Sequence, residues 1–276
     1  LDDNVHCLGI EGTFDDCQEL MKSIFGDLAF KEKYRLGAVN SVNWARVVTQ
    51  IVYYVYAALK FKEPVSFSVP TGNFGNVFAG YLAKSMGVPI DRLVLATNDN
   101  DILARFFETG RYTRSTVQHT LSPSMDIQVA SNFERFLYFY FGRDSERLIE
   151  FLGTFSEQGS AEVDYVKSED SFFIATSVGE EETRGTIKTT YASYDYILDP
   201  HSAVGVAAAS RFDLASPVIS LATAHPAKFP DAVNEAIGKD VATHTRLTNL
   251  ISQPTRKTLL PADEEAVKHY LATNAR

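Results

Sequence analysis

At 276 residues, 45% of them apolar, and with a formal net charge of −9, the chain has length for one large domain or two small ones and for an ample core. Its acidic balance and lack of Lys/Arg blocks argue against a nucleic-acid partner, and its longest unbroken apolar run, Ile51 to Leu59, is too short to cross a bilayer. Cys7 and Cys17 form no Cys-x-x-Cys pair and the six histidines no His-x-x-x-His or His-x-His arrangement, which fits a reducing compartment and leaves metal catalysis without support.

Val5 to Ile10 is predicted as a strand, followed by a helix to about Phe25 with Thr13 as N-cap and Asp15 and Asp16 in its first turn. The chain opens on Leu1, without a signal peptide and with a strand almost at once, as expected of a segment from within a longer protein. Residues 28 to 39 are charged and irregular, suited to a crossing between domains. Val42, Trp44, Val47, Val48, Ile51, Val52, Val55, Ala58 and Leu59 then fall at helical spacing, with Asn40 and Ser41 as cap candidates. Alternating Val65-Ser66-Phe67-Ser68-Val69 predicts a strand, Val77 to Met86 a helix closed by Gly87 and Pro89, Arg92 to Thr97 a strand, and Asp101 to Glu108 a helix. This alternation predicts an α/β fold, an open and mostly parallel sheet flanked by helices.

Residues 111–130 are rich in turns. Ser131-Asn132-Phe133-Glu134 has the form of a capping box, and it opens a helix whose aromatic run Phe136 to Phe141 is best explained by burial. Glu180-Glu181-Glu182 is predicted as a solvated helix start. Asp199-Pro200-His201-Ser202 opens a helix from Ala203 to Arg211, and Pro217 to Thr223 is a further buried strand.

The run Pro70-Thr71-Gly72-Asn73-Phe74-Gly75-Asn76 carries the clearest chemistry. Strand, glycine-rich turn and helix N-terminus aim free N–H groups and the helix dipole at one spot, and the glycines admit a phosphate close to the backbone. Gly72 and Gly75 do not satisfy Gly-x-Gly-x-x-Gly and no Lys-Ser/Thr follows, so neither the dinucleotide nor the P-loop fingerprint is present. The pattern calls for a phosphate or a cofactor that carries one.

Taken together, Asn40-Ser41-Val42-Asn43-Trp44-Ala45-Arg46, Pro70 to Asn76, Ala96-Thr97-Asn98, Ser122-Pro123-Ser124-Met125-Asp126, Asp199-Pro200-His201-Ser202-Ala203-Val204-Gly205 and Thr223-Ala224-His225-Pro226-Ala227-Lys228-Phe229 closely resemble the threonine synthases, fold type II enzymes dependent on pyridoxal 5′-phosphate. The resemblance implies that Gly72, Asn73, Phe74, Gly75 and Asn76 hold the cofactor's phosphate, and that the Thr223 hydroxyl meets its pyridine nitrogen. A neutral hydroxyl there tunes the cofactor toward elimination and replacement rather than transamination. Asn40, Ser41, Asn43 and Arg46 cluster at a helix N-terminus, where two amides, a hydroxyl and a guanidinium suit a second phosphate, that of the substrate O-phospho-L-homoserine. His225, Lys228, Asp199 and His201 are further cleft candidates, with Asn98 and Asp126 behind them; for Asp199, His201, His225 and Lys228 a purely structural role is equally open.

The family's Schiff-base lysine, in a context like Phe-Lys-Asp, matches no lysine of this chain. The expectation is therefore a C-terminal portion of such an enzyme, with residues 1–35 ending the smaller domain and 36–276 forming the large cofactor domain, inactive without the N-terminal part. The intact enzyme is expected to convert O-phospho-L-homoserine and water to L-threonine and phosphate, in the cytoplasm or, had a plastid address preceded it, in a plastid. A serine or threonine dehydratase and a non-catalytic phosphate-binding fragment remain as alternatives.

Overall fold

The computed structural model describes residues 2–164, 171–251 and 253–274. β1 (Leu8–Glu11) leads into α1 (Phe14–Gly26) and α2 (Leu28–Tyr34). There follow α3 (Trp44–Ala58), β2 (Val65–Pro70), α4 (Gly75–Ser85), β3 (Ile90–Thr97), α5 (Ile102–Thr109), β4 (Arg111–Thr113), α6 (Phe133–Tyr140), α7 (Ser145–Gln158), β5 (Ser160–Glu162) and β6 (Phe173–Ser177). The last third holds α8 (Glu180–Tyr194), α9 (Pro200–Ser210), β7 (Val218–Ser220), α10 (Pro230–Ile237), α11 (Thr245–Ile251), β8 (Thr258–Pro261) and α12 (Glu264–Asn274). No helix among the described residues is long and apolar enough to cross a membrane.

These elements form two compact units, Leu1–Ala38 with Thr248–Arg276, and Val39–Leu247. The compact units divide after Ala38, near the expected boundary at 35, and residues 248–276 fall in the first unit. The cause is a parallel pairing of β8 with β1, in register from Leu8↔Thr258 to Glu11↔Pro261, which no local pattern announces. Lys268 of α12 strengthens this unit by bonding Asp27 at 2.9 Å and Glu264 at 2.6 Å. Those bonds hold both carboxyls below, and the lysine above, their ordinary values. Residues 28–34, expected to be irregular, are helix α2, capped by Asp27 through the Phe30 N–H. At α1 the expected Thr13 cap is present as a reciprocal capping box with Asp16.

The unit Val39–Leu247 is built on a parallel sheet of order β6-β3-β2-β7. Every residue of β2 is buried, as a strand covered on both faces requires. Leu93 and Leu95 of β3 join one core with α3, α4, α5 and α6, while Val94 and Ala96 face Val204, Ala207 and Ala208 of α9 on the other side. Gly205 lets α9 approach β2 closely: a Cβ there would lie 2.8 Å from Pro70. All four strands run the same way, so the loops after Pro70, Thr97, Ser177 and Ser220 gather along one edge.

Two expected caps differ from the structure. Asn43, not Asn40 or Ser41, caps α3 by accepting from the Ala45 N–H at 2.8 Å. Asn132, not Ser131, precedes α6, and it makes no side-chain cap bond: its Oδ1 accepts from Arg135 Nε (3.1 Å), while the Ser131 hydroxyl donates to Asn73 (3.1 Å). On α3, of the apolar positions named from the helical spacing, only Val47 and Ala58 are fully buried, alongside Tyr54, whereas Val48, Val52 and Leu59 are exposed.

Phe74, in the turn before α4, adopts the left-handed conformation at φ 64° despite its bulk. What holds it is an aromatic cluster. Its ring stacks on Phe107 (6.0 Å between centroids, planes 10° apart) and meets Phe133, Phe136 and Phe173. Of the aromatic run of α6, Phe136 and the following Phe141 are core, while Tyr138, Phe139 and Tyr140 are half-buried. We expect Phe74→Ala to destabilise the protein by about 3–5 kcal/mol, the usual cost of truncating a buried phenylalanine, measured by urea unfolding.

Candidate active site

The Gly72–Asn76 loop leaves the C-terminal end of β2 and enters α4, whose first turn carries no side-chain cap among the described residues. Its N–H groups and the dipole's positive end face a concavity of about 140 Å³. Thr71 to Val77 form one wall, and Ser41, Arg46 and Gln50 the other. Pockets for whole ligands run about 300–1,000 Å³, so this one suits a single group such as a phosphate. Gly72 is required by contact rather than by dihedral angle, and Gly75 sits in a tight fit. A Cβ on Gly72 would lie 2.7 Å from the Ser124 carbonyl oxygen, and one on Gly75 would fall between Asn132 Nδ2 (3.3 Å) and Gln50 Oε1 (3.6 Å).

The loop's asparagines brace it from behind. Asn73 Oδ1 accepts from the Ser131 hydroxyl and, at 3.4 Å, from its N–H, while Asn132 Nδ2 donates to the carbonyls of Asn73 and Ser41 (both 3.0 Å). Asn76 is held by the buried Tyr54, whose hydroxyl donates to the Asn76 carbonyl at 2.8 Å and to its Oδ1 at 3.0 Å. Burial pushes the Tyr54 phenol well above its ordinary value, so it stays a donor.

Of the four residues assigned to a second phosphate, Ser41 and Arg46 share this concavity with the loop. Arg46 is exposed and donates to the Val39 carbonyl at 3.0 Å. Asn40 and Asn43 act locally, Asn40 Oδ1 accepting from the Val42 N–H (3.3 Å) and Asn43 capping α3.

Beyond β7, which ends at Ser220, Thr223 lies exposed in the turn that follows. Its N–H donates to Ser202 Oγ at 3.0 Å, and its own Oγ1 is 3.5 Å from that atom. Ser202 donates to Asp199 Oδ2, which also accepts from the Ala224 N–H at 3.3 Å. Asp199 Oδ1 caps α9 and lies 3.0 Å from His201 Nδ1. The Ser124 N–H donates to His201 Nε2 at 3.2 Å, so the network assigns the ring proton to Nδ1. Burial works to raise the Asp199 carboxyl, but the bonds from His201 and Ser202 outweigh it and hold the group below the usual carboxylate range.

Asp199 and Ser202 also line a second concavity of about 340 Å³, with Ala222, Ala224, His225 and Pro226. His225 Nδ1 accepts from the Ala227 N–H at 3.1 Å, and Lys228 is exposed with its ammonium 5.8 Å from the Phe229 ring centre. Asn98 and Asp126 are buried and bonded to each other at 2.7 Å, in a network with Asn100, Thr120 and Ser122 that fastens segment 118–126 to the end of β3. Their part is to seat Ser124 behind Gly72. Gln50, Ser202 and Ser131 were missed as site residues. Gln50 stands four residues after Arg46, hence on the same helix face, and that spacing was the available signal.

A family profile described as threonine synthase, C-terminal, matches residues 202–271. The threonine synthase of Pseudomonas aeruginosa is 46% identical over 280 residues, covering 99% of this chain and 60% of that protein. That of Saccharomyces cerevisiae is 46% identical over 263 residues, covering 86% of this chain and 51% of that one. Among solved structures, threonine synthase from Brucella melitensis, with PLP bound, is 45% identical with a TM-score of 0.86 over 99% of this chain and 60% of that one. The chain thus spans about 60% of the length of the bacterial relatives.

A methyl at Gly72 cannot coexist with the Ser124 carbonyl, so we expect Gly72→Ala to weaken inorganic phosphate at the loop by roughly tenfold or more, as loss of charge-assisted hydrogen bonds implies. Gly153→Ala, in α7 with nothing within 4 Å of the new methyl, should leave phosphate binding unchanged. Phosphate titration by calorimetry reads both.

Proposed function

Because the chain belongs to the threonine synthase family, we propose that it is part of a pyridoxal-phosphate-dependent lyase that converts O-phospho-L-homoserine and water to L-threonine and phosphate. In that reaction phosphate leaves the substrate's γ-carbon and water adds at the β-carbon. The observation that carries the proposal is the convergence of an uncapped helix N-terminus, Gly72 with no room for a side chain, Gly75 in a tight fit, and Arg46 on one phosphate-sized concavity. It sits at the C-terminal edge of a parallel sheet, where ligands of such folds collect. The choice over a serine or threonine dehydratase rests on identity along 99% of the chain rather than on Arg46.

The residues fit pyridoxal phosphate. Gly72 to Asn76 would hold its phosphate on backbone N–H groups, and Thr223 would offer a neutral hydroxyl to its ring nitrogen. When bound, the cofactor supplies an electron sink for carbanion charge on the substrate. Ser41 and Arg46, given to the substrate's phosphate on sequence grounds, share the loop's concavity, which favours a phosphate that touches the loop as well. Val39–Leu247 is then the cofactor-binding domain, and Leu1–Ala38 with Thr248–Arg276 part of a smaller one. No lysine lines either concavity among the described residues, so the 276-residue chain alone should bind ligand without forming threonine.

Pyridoxine 5′-phosphate, whose alcohol replaces the aldehyde, tests the site without covalent attachment. We expect it to bind the chain more tightly than unphosphorylated pyridoxine, and Arg46→Ala to weaken the phosphorylated ligand roughly ten- to hundredfold while leaving pyridoxine unaffected, the scale of one charge-assisted contact. A variant that loses affinity for O-phospho-L-homoserine alone would return Arg46 to the substrate.

A further inference from the structure

Asp199 is 1% exposed, and each of its oxygens serves a different rim of the candidate site. Oδ1 accepts from the His201 N–H at 2.9 Å and from its Nδ1 at 3.0 Å; His201 Nε2 then accepts from the Ser124 N–H, whose residue supplies the carbonyl against which Gly72 lies. Oδ2 takes the Ser202 hydroxyl proton and the Ala224 N–H, and Ser202 Oγ takes the Thr223 N–H. One carboxylate therefore reaches the phosphate loop through a ring and the Thr223 turn through a hydroxyl. A loop three residues past a strand has little else to define where its hydroxyl stands.

We propose that Asp199 is a positioning residue whose two oxygens hold the phosphate loop and the Thr223 turn at the spacing of the cofactor's two ends, Oδ1 acting through His201 and Oδ2 through Ser202. The proposal rests on Thr223 meeting the cofactor ring. It gives separate consequences for the two ends, which a merely structural role would not. Asparagine caps helices as well as aspartate does, so Asp199→Asn should fold. Its Oδ1 would keep serving His201, while its amide NH₂ would confront the Ala224 N–H and could only donate to Ser202 Oγ, whose proton would have to turn away from residue 199. The flipped amide would confront more donors at His201.

Two probes divide the ends: inorganic phosphate reports the loop alone, and pyridoxine 5′-phosphate reports loop and ring together. Asp199→Asn and Ser202→Ala should weaken pyridoxine 5′-phosphate roughly three- to tenfold, the scale of one neutral hydrogen bond, and leave inorganic phosphate unchanged. His201→Phe should weaken both probes, and His201→Gln, which restores an acceptor for the Ser124 N–H, should recover both. Equal losses on both probes in all of these variants would overturn the proposal. Thr223→Val checks the premise separately: unchanged affinity for pyridoxine 5′-phosphate would remove Thr223 from the ring and leave the tie itself to be judged by amide hydrogen exchange without ligand. There Asp199→Asn should speed the Thr223 and Ala224 amides and spare Ser124, whereas Asp199→Ala should speed all three. Unaltered exchange in Asp199→Ala would refute the tie whether or not any probe binds.

Discussion

A phenylalanine in the left-handed region is the constraint on which the site depends. At Phe74 the backbone must reverse so that β2 can feed α4 with its N–H groups facing outward, and a bulky side chain resists that conformation by about 1–3 kcal/mol. Glycine would adopt it without cost but would bring no anchor. The ring offsets the strain by seating itself among Phe107, Phe133, Phe136 and Phe173, so the same residue bends the chain and fastens the bend to the core. Asn73 and Asn76, on either side, are gripped by Ser131, Asn132 and Tyr54. The turn is thus held in place by the core behind it, and binding a group there, as proposed, would cost little in ordering it.

The remainder of the site follows from small residues and parallel strands. Gly80 and Gly205 let helices lie close on their neighbours: a Cβ on Gly80 would meet Tyr54 at 2.7 Å, and Tyr54 is the residue that holds Asn76. The parallel direction of β2, β3, β6 and β7 brings residues far apart in sequence to one edge. Along that edge Asn98 pairs with Asp126, and Asp199 with Ser202 and His201. Asn98 and Asp126 stabilise the segment that backs Gly72, and Asp199 stabilises the turn that carries Thr223.

Much of this was legible in the sequence. The βα alternation, the Thr13 cap, the burial of β2 and the glycine-bearing turn into α4 all rest on local chemistry, which residue type and spacing report directly. What was not legible lies in contacts between distant segments. Nothing near Ser131 shows that its hydroxyl would reach Asn73 instead of capping α6, and nothing near Asn43 shows that it, not Ser41, would start α3. Asp199 could be read as a cap, and it is one; that its second oxygen governs a turn twenty-five residues away depends on how α9 lies beside β7. The burial of Phe136 in α6 was legible, but not the fact that Phe74 is the centre it helps enclose.

The pairing of β1 with β8 has a bearing on how the chain is made. The two strands are separated in sequence by the whole of Val39–Leu247, so β1 can meet β8 only after Thr258–Pro261 has left the ribosome. Val39–Leu247 meets no such delay, since every strand of its main sheet is present once Ser220 has emerged. During synthesis the unit Val39–Leu247 can therefore fold while the edge of β1 that β8 will cover is still open, the kind of surface that invites mispairing. β1 is short, at four residues, and Glu11 at its end is exposed, which limits that hazard until its late partner arrives.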